Sequence, residues 1–137
     1  MAIALFDSNI LIDHTLGIKE ATIELAGYDD AAISTICWME TACLLTPPQI
    51  IKFDLDLADA GIIIQQTTPE IMRRAAELRR QMKKKLPDCI IWATAEIQGR
   101  LIVTRNPNDF GGTTNPLVRV PYKNTDGVIT DVTPLPP

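Results

Sequence analysis

Five consecutive residues near the start of the chain, Ala2-Ile3-Ala4-Leu5-Phe6, are apolar without a break, and Asp7 follows them directly. A strand with one face in water alternates apolar and polar side chains. An unbroken run is what a strand covered on both faces requires, and that environment belongs to parallel sheets. Similar short runs recur at Ala31-Ala32-Ile33, Ile62-Ile63-Ile64, Leu101-Ile102-Val103-Thr104 and Leu117-Val118-Arg119-Val120. Helical segments are expected between them. Ile10-Leu11-Ile12 opens one that ends near Gly17, and Ile18 to Ala26 forms a second, closed by Gly27. Ser34 or Thr35 caps a third, running to about Leu45, and a fourth spans Gln49 to Ala60. Thr67-Thr68-Pro69-Glu70 is a strong start signal for a fifth, which runs to about Lys84. Leu86-Pro87-Asp88 begins a sixth, apolar nearly all round and therefore central, with Gly99 as its stop. Strands alternating with helices define an α/β fold with a mostly parallel sheet. In such sheets ligands bind beyond the carboxyl ends of the strands, so the residues just after each strand carry the functional information.

A chain of 137 residues is expected to form one domain with a core of its own. No apolar stretch approaches the roughly 20 residues of a membrane span. The opening residues have neither a basic head nor a cleavage site, so a cytoplasmic location is expected. Cys37, Cys43 and Cys89 show no C-x-x-C spacing and sit among apolar neighbours, which argues for core packing over disulfides or zinc. The net charge is −4, yet Arg73, Arg74, Arg79, Arg80, Lys83, Lys84 and Lys85 are concentrated in one segment with Glu77 as its one acid. Screening removes distant charges beyond about 8 Å at physiological salt, so a local basic face can attract phosphates to an acidic protein. The same residues also suit the C-terminal end of a helix dipole.

The acids that follow the strands are the other feature. Asp7 ends the first strand, Asn106 and Asp109 follow the fourth, and Asp88 opens the helix that precedes the fourth. Glu40 lies in the helix after the second strand, within about 40° of Ile36 and of Leu44 on a helical wheel. A carboxylate inside an apolar arc needs a partner charge, a metal or a raised pKa, and no Lys or Arg is near it in sequence. A shared divalent cation would satisfy several such acids at once. Mg²⁺ and Mn²⁺ prefer oxygen ligands and can activate water for phosphodiester cleavage.

The segments carrying these acids resemble those of PIN-domain nucleases. Phe6-Asp7-Ser8-Asn9-Ile10-Leu11-Ile12-Asp13 is similar to the family's opening, and Trp38-Met39-Glu40 to its helix-borne glutamate. Leu86-Pro87-Asp88-Cys89-Ile90-Ile91-Trp92-Ala93-Thr94-Ala95 resembles the third acidic motif, and Val103-Thr104-Arg105-Asn106-Pro107-Asn108-Asp109-Phe110 the fourth. Within the family the likeness is greatest to the VapC toxins of toxin–antitoxin systems. It covers about residues 1–121, which implies a nuclease domain over 1–122 and a C-terminal tail over 123–137. Ser8 stands where Thr is common and Cys89 where Ala is common; neither departure removes a charge.

The resemblance implies a three-layer fold around a five-stranded parallel sheet. It implies Mg²⁺- or Mn²⁺-dependent endoribonuclease activity, a cognate antitoxin and a homodimer. Asp7 and Asp88 would be the principal metal ligands, with Glu40 and Asp109 completing the acidic cluster. Ser8, Thr104 and Asn106 would position water or phosphate, and Arg79 and Arg80 would help to hold RNA. Other classes fit less well. A haloacid dehalogenase-type phosphatase needs a second acid where Asn9 stands, and no G-x-G-x-x-G follows the first strand. His14, the single histidine, has no nucleophile elbow to serve. A non-catalytic PIN-like module that binds RNA or protein is the alternative, and the retention of all four acids argues against it.

Overall fold

The computed structural model describes residues 2–137. Five strands form one sheet: β1 (Ile3–Phe6), β2 (Asp30–Ser34), β3 (Ile62–Gln65), β4 (Leu101–Val103) and β5 (Val118–Arg119). Their order is β3-β2-β1-β4-β5, and every neighbouring pair is parallel. The expected α/β architecture with a parallel five-stranded sheet is therefore the one observed. Leu5 pairs with Ala32 on one side and Ile102 on the other. Being central, β1 buries Ala4, Leu5 and Phe6 completely, which accounts for its unbroken apolar run. The run at β3 has a different setting. β3 is an edge strand, and Ile63 and Ile64 are 53% and 42% exposed.

Six helices connect the strands: α1 (Ser8–Thr15), α2 (Lys19–Ala26), α3 (Thr35–Ala42), α4 (Pro47–Asp59), α5 (Pro69–Met82) and α6 (Leu86–Gln98). Several ends differ from the sequence-based expectation, each for a local reason. α1 starts at Ser8 because Asp7 takes the N-cap position and accepts the Ser8 N–H at 2.8 Å. α4 starts at Pro47 because two prolines fit a first turn, and the Gln49 side chain accepts the Thr46 N–H at 2.8 Å. α3 ends at Ala42, earlier than expected, and leaves Leu44 exposed. α5 ends at Met82, where Lys83 turns into the left-handed region with φ 55°. α6 lies centrally as expected, with Cys89 and Ile91 through Ala95 buried.

Beyond β5 the chain remains structured. β6 (Lys123–Thr125) and β7 (Val128–Thr130) pair antiparallel, joined through Asp126 at φ 52° and Gly127 at φ 87°. Positive φ at both central residues is what a tight two-residue hairpin turn demands, and Asp-Gly meets that demand well. The hairpin is anchored by Tyr122, whose hydroxyl donates to Asp13 at 2.8 Å, and by Asn124, which donates to Asp13 at 3.2 Å. Among the described residues no helix is long and apolar enough to cross a membrane.

Candidate active site

The strand order fixes where a site can form. From β1 the chain moves outward one way to β2 and β3, then returns to place β4 on the other flank of β1. The connections leave the carboxyl ends of β1 and β4 in opposite directions, and a crevice opens between them. Asp7 stands at the end of β1 and Thr104 at the end of β4.

Asp7 is 5% exposed and firmly held. One carboxylate oxygen accepts the Ser8 N–H; the other accepts from the Thr104 hydroxyl at 2.8 Å and from Asn9 Nδ2 at 3.1 Å. Thr104 Oγ1 in turn accepts the Asn106 N–H at 2.9 Å and the Asn9 amide at 3.2 Å. Asn9 Oδ1 accepts the Arg105 N–H at 3.2 Å, which ties the start of α1 to the turn after β4. That turn is a short 3-10 segment, Pro107–Phe110, pinned by the fully buried Phe110 and carrying Asp109. Asp88 occupies the third position of α6, whose N-cap residue is Lys85.

All four acids face one cleft of about 230 Å³, lined by Asp7, Glu40, Asp88 and Asp109 together with Ser8, Asn9, Asn106, Lys85, Pro87 and Ile12. Glu40 arrives there by a different route from the one its sequence setting suggested. It is half-buried at the cleft wall, not inside an apolar arc, because α3 stops before Cys43 and Leu44 can cover that face. Of the residues expected to position substrate, Ser8 and Asn106 line the cleft, and Thr104 lies just beneath, bonded to Asp7. Arg79 and Arg80 do not line it; Arg79 instead donates to the Lys84 carbonyl at 2.9 Å. Asn9 was not singled out from sequence, and Lys85 was read only as part of the basic segment that can attract phosphates, not as a residue of the cleft. The position of Asn9 two residues after the strand-end acid was the available signal for the first. For Lys85, its place three residues before Asp88 was.

The electrostatics follow from crowding. Burial raises the Asp7 carboxyl to about 6, with Glu40 and Asp109 adding to the rise and the bonds from Thr104 and Ser8 opposing it. Burial, then Asp109, Asp7 and Glu40, raise Asp88 to about 7, with Lys85 pulling the other way. Four carboxylates repelling one another in a small cleft form a hard-oxygen donor set that a divalent cation would relieve. Among the described residues, no three acidic, histidine or cysteine groups already encircle a point where an ion could sit.

Thr104 gives a direct check on this framework. Thr104→Val removes the hydroxyl from Asp7 and leaves the Asn106 N–H without its acceptor. Denaturant unfolding should register a loss of about 1–3 kcal/mol. A change below that range would mean that water replaces the hydroxyl.

The parallel sheet, with an acid-lined crevice where its connections diverge, makes this an α/β protein that gathers carboxylates at the carboxyl ends of its strands. The PIN domain family model matches residues 4–111, and the chain belongs to that family. It is 38% identical to a chain of a toxin–antitoxin complex from Klebsiella pneumoniae, with a TM-score of 0.74 over 88% of this chain and 98% of that one. FitAcB from Neisseria gonorrhoeae shares the fold at 21% identity, with a TM-score of 0.56 over 80% of this chain and 91% of the other. No curated protein matches the chain.

Proposed function

We propose that this protein is a Mg²⁺- or Mn²⁺-dependent endoribonuclease, and that it is the toxin of a VapC-like toxin–antitoxin pair. The observation that carries the catalytic reading is the convergence of Asp7, Glu40, Asp88 and Asp109 on one cleft from four separate segments. Membership in a family of nucleases supports it. Asp7 and Asp88 would hold the cation directly, with Glu40 and Asp109 binding through oxygen or through ordered water. When bound, the cation would supply charge neutralisation at the phosphodiester and a more acidic water.

The chain's own groups do the positioning. The Thr104 hydroxyl and the Asn9 amide hold one Asp7 oxygen and the Ser8 N–H holds the other, which fixes the carboxylate where it lines the cleft. Ser8 and Asn106 line the same cleft and would offer neutral polar groups to a phosphate. The partner reading rests on likeness to a chain from a toxin–antitoxin complex. A cognate antitoxin, a homodimer and a cytoplasmic location belong to the same proposal.

Incubation of the protein with RNA, with Mg²⁺ or Mn²⁺ and then with chelator, tests the activity. Cleavage should require the cation and disappear in Asp7→Asn. Cation-independent cleavage, or an Asp7→Asn variant as fast as wild type, would overturn the assignment. RNA binding without cleavage under any cation would point to a non-catalytic module.

A further inference from the structure

Within the basic segment between residues 73 and 85 the side chains have different surroundings. Arg74 is committed to Glu96 and Glu77, at 2.6 and 3.2 Å. Arg79 is committed to the Lys84 carbonyl. Lys83 sits in the left-handed turn that ends α5. Lys85 differs from all of these: it is the one cation among the described residues that line the acidic cleft, and no ion pair of the described residues involves it. Its backbone is fixed on both sides. The Lys84 carbonyl accepts from Arg79, and the Lys85 carbonyl accepts the Cys89 N–H at 3.0 Å. As the N-cap residue of α6 it makes no side-chain capping bond, so its ammonium is not needed to hold the helix.

We propose that Lys85 is the substrate-phosphate contact of the cleft, binding a backbone phosphate of single-stranded RNA next to the one being cleaved. The proposal rests on the nuclease reading of the same cleft. A cation beside four carboxylates weakens the binding of a metal ion, so in a site meant only to hold metal it would be counterproductive. It becomes useful once a polyanion arrives, because phosphate oxygens then share the cleft with the acids. A lysine suits this task as a compact point charge on a flexible stem.

The test reads two affinities that should move in opposite directions. Mn²⁺ alone is titrated into wild type, Lys85→Ala and Lys85→Arg. A short single-stranded RNA is titrated into the same three chains carrying Asp7→Asn to prevent cutting, across a series of salt concentrations. Lys85→Ala should bind Mn²⁺ several-fold more tightly, and RNA about tenfold more weakly, the equivalent of one lost charge-assisted contact. The slope of log affinity against log salt should fall by about 0.7, the value for one phosphate on a single strand. Lys85→Arg should restore the slope. Lys83→Ala should not produce the split in sign. Unchanged RNA affinity and slope in Lys85→Ala would overturn the proposal. So would Mn²⁺ affinity falling together with RNA affinity, because that is the mark of a disturbed cleft. Failure of the underlying reading looks different: wild type would neither bind Mn²⁺ nor cut RNA, and this proposal would fall with it.

Discussion

Asp13→Ala should be the most destabilising single substitution of a polar residue in this chain, with a loss of roughly 3–5 kcal/mol in chemical denaturation. Asp13 is 2% exposed and satisfies three groups from distant parts of the sequence. Arg105 Nε and Nη2 donate to its two oxygens at 2.7 and 3.2 Å, the Tyr122 hydroxyl donates at 2.8 Å, and Asn124 donates at 3.2 Å. Removing the carboxylate leaves a guanidinium and a fully buried phenol hydroxyl without an acceptor, which costs more than the bonds themselves are worth. Asp13→Asn keeps the shape and one acceptor oxygen, and should lose less. Tyr122→Phe removes one donor and leaves the ion pair, so about 1 kcal/mol is expected. If Asp13→Ala and Tyr122→Phe prove equally mild, the network is not a determinant of stability. Activity should follow stability here, because Arg105 adjoins Thr104 and both lie on the path from α1 to the Asp109 turn.

Asp88→Asn should abolish cleavage, by roughly a hundredfold or more, and at the same time stabilise the metal-free protein. Asp88 has its carboxyl raised to about 7, first by burial and then by its acidic neighbours. An acid raised in the folded state favours folding while it is protonated. The contribution is complete below the unfolded pKa of about 4 and is lost as pH climbs through the folded value. At pH 7.5 the ionised Asp88 therefore opposes folding. Replacing it with a neutral amide should return about 1–2 kcal/mol, discounted because the cleft is open to water.

The same sign applies to the wild type. Its metal-free melting temperature should rise as pH is lowered from 8 to about 5.5, through the raised values of Asp88 and Asp7. Added Mn²⁺ should raise it at pH 7.5 and much less at 5.5. Asp7→Asn should not show an equal gain, because the amide would present a donor where Asn9 and Thr104 already donate. A metal-free melting temperature insensitive to pH between 8 and 5.5 would show that the acids do not strain one another.

Much of this was legible in the sequence because burial leaves a plain signature. The unbroken runs at β1 and β4 belong to strands flanked on both sides, and the acids near their ends could be found by inspecting the residues directly after each strand. Glu40 was found for a reason that the structure revises: the helical wheel was carried past the point where α3 ends. Asp13 lay inside the first acidic motif, yet nothing local marked it, since its partners Arg105, Tyr122 and Asn124 are about a hundred residues away. For the same reason the basic segment could be counted but not divided. Whether a basic residue ends a helix, pairs with a glutamate or overlooks a cleft depends on elements that only the tertiary fold brings alongside.

The placement of β4 next to β1 has a consequence for the order in which the acidic cleft is assembled. During synthesis, Asp7 and Glu40 leave the ribosome early, in a chain that has no crevice to put them in. The wall opposite Asp7 is built from residues 85–109, and these emerge only after most of the polypeptide has been made. A product that stopped short of residue 85 would thus carry half of the acids and no cleft to hold them.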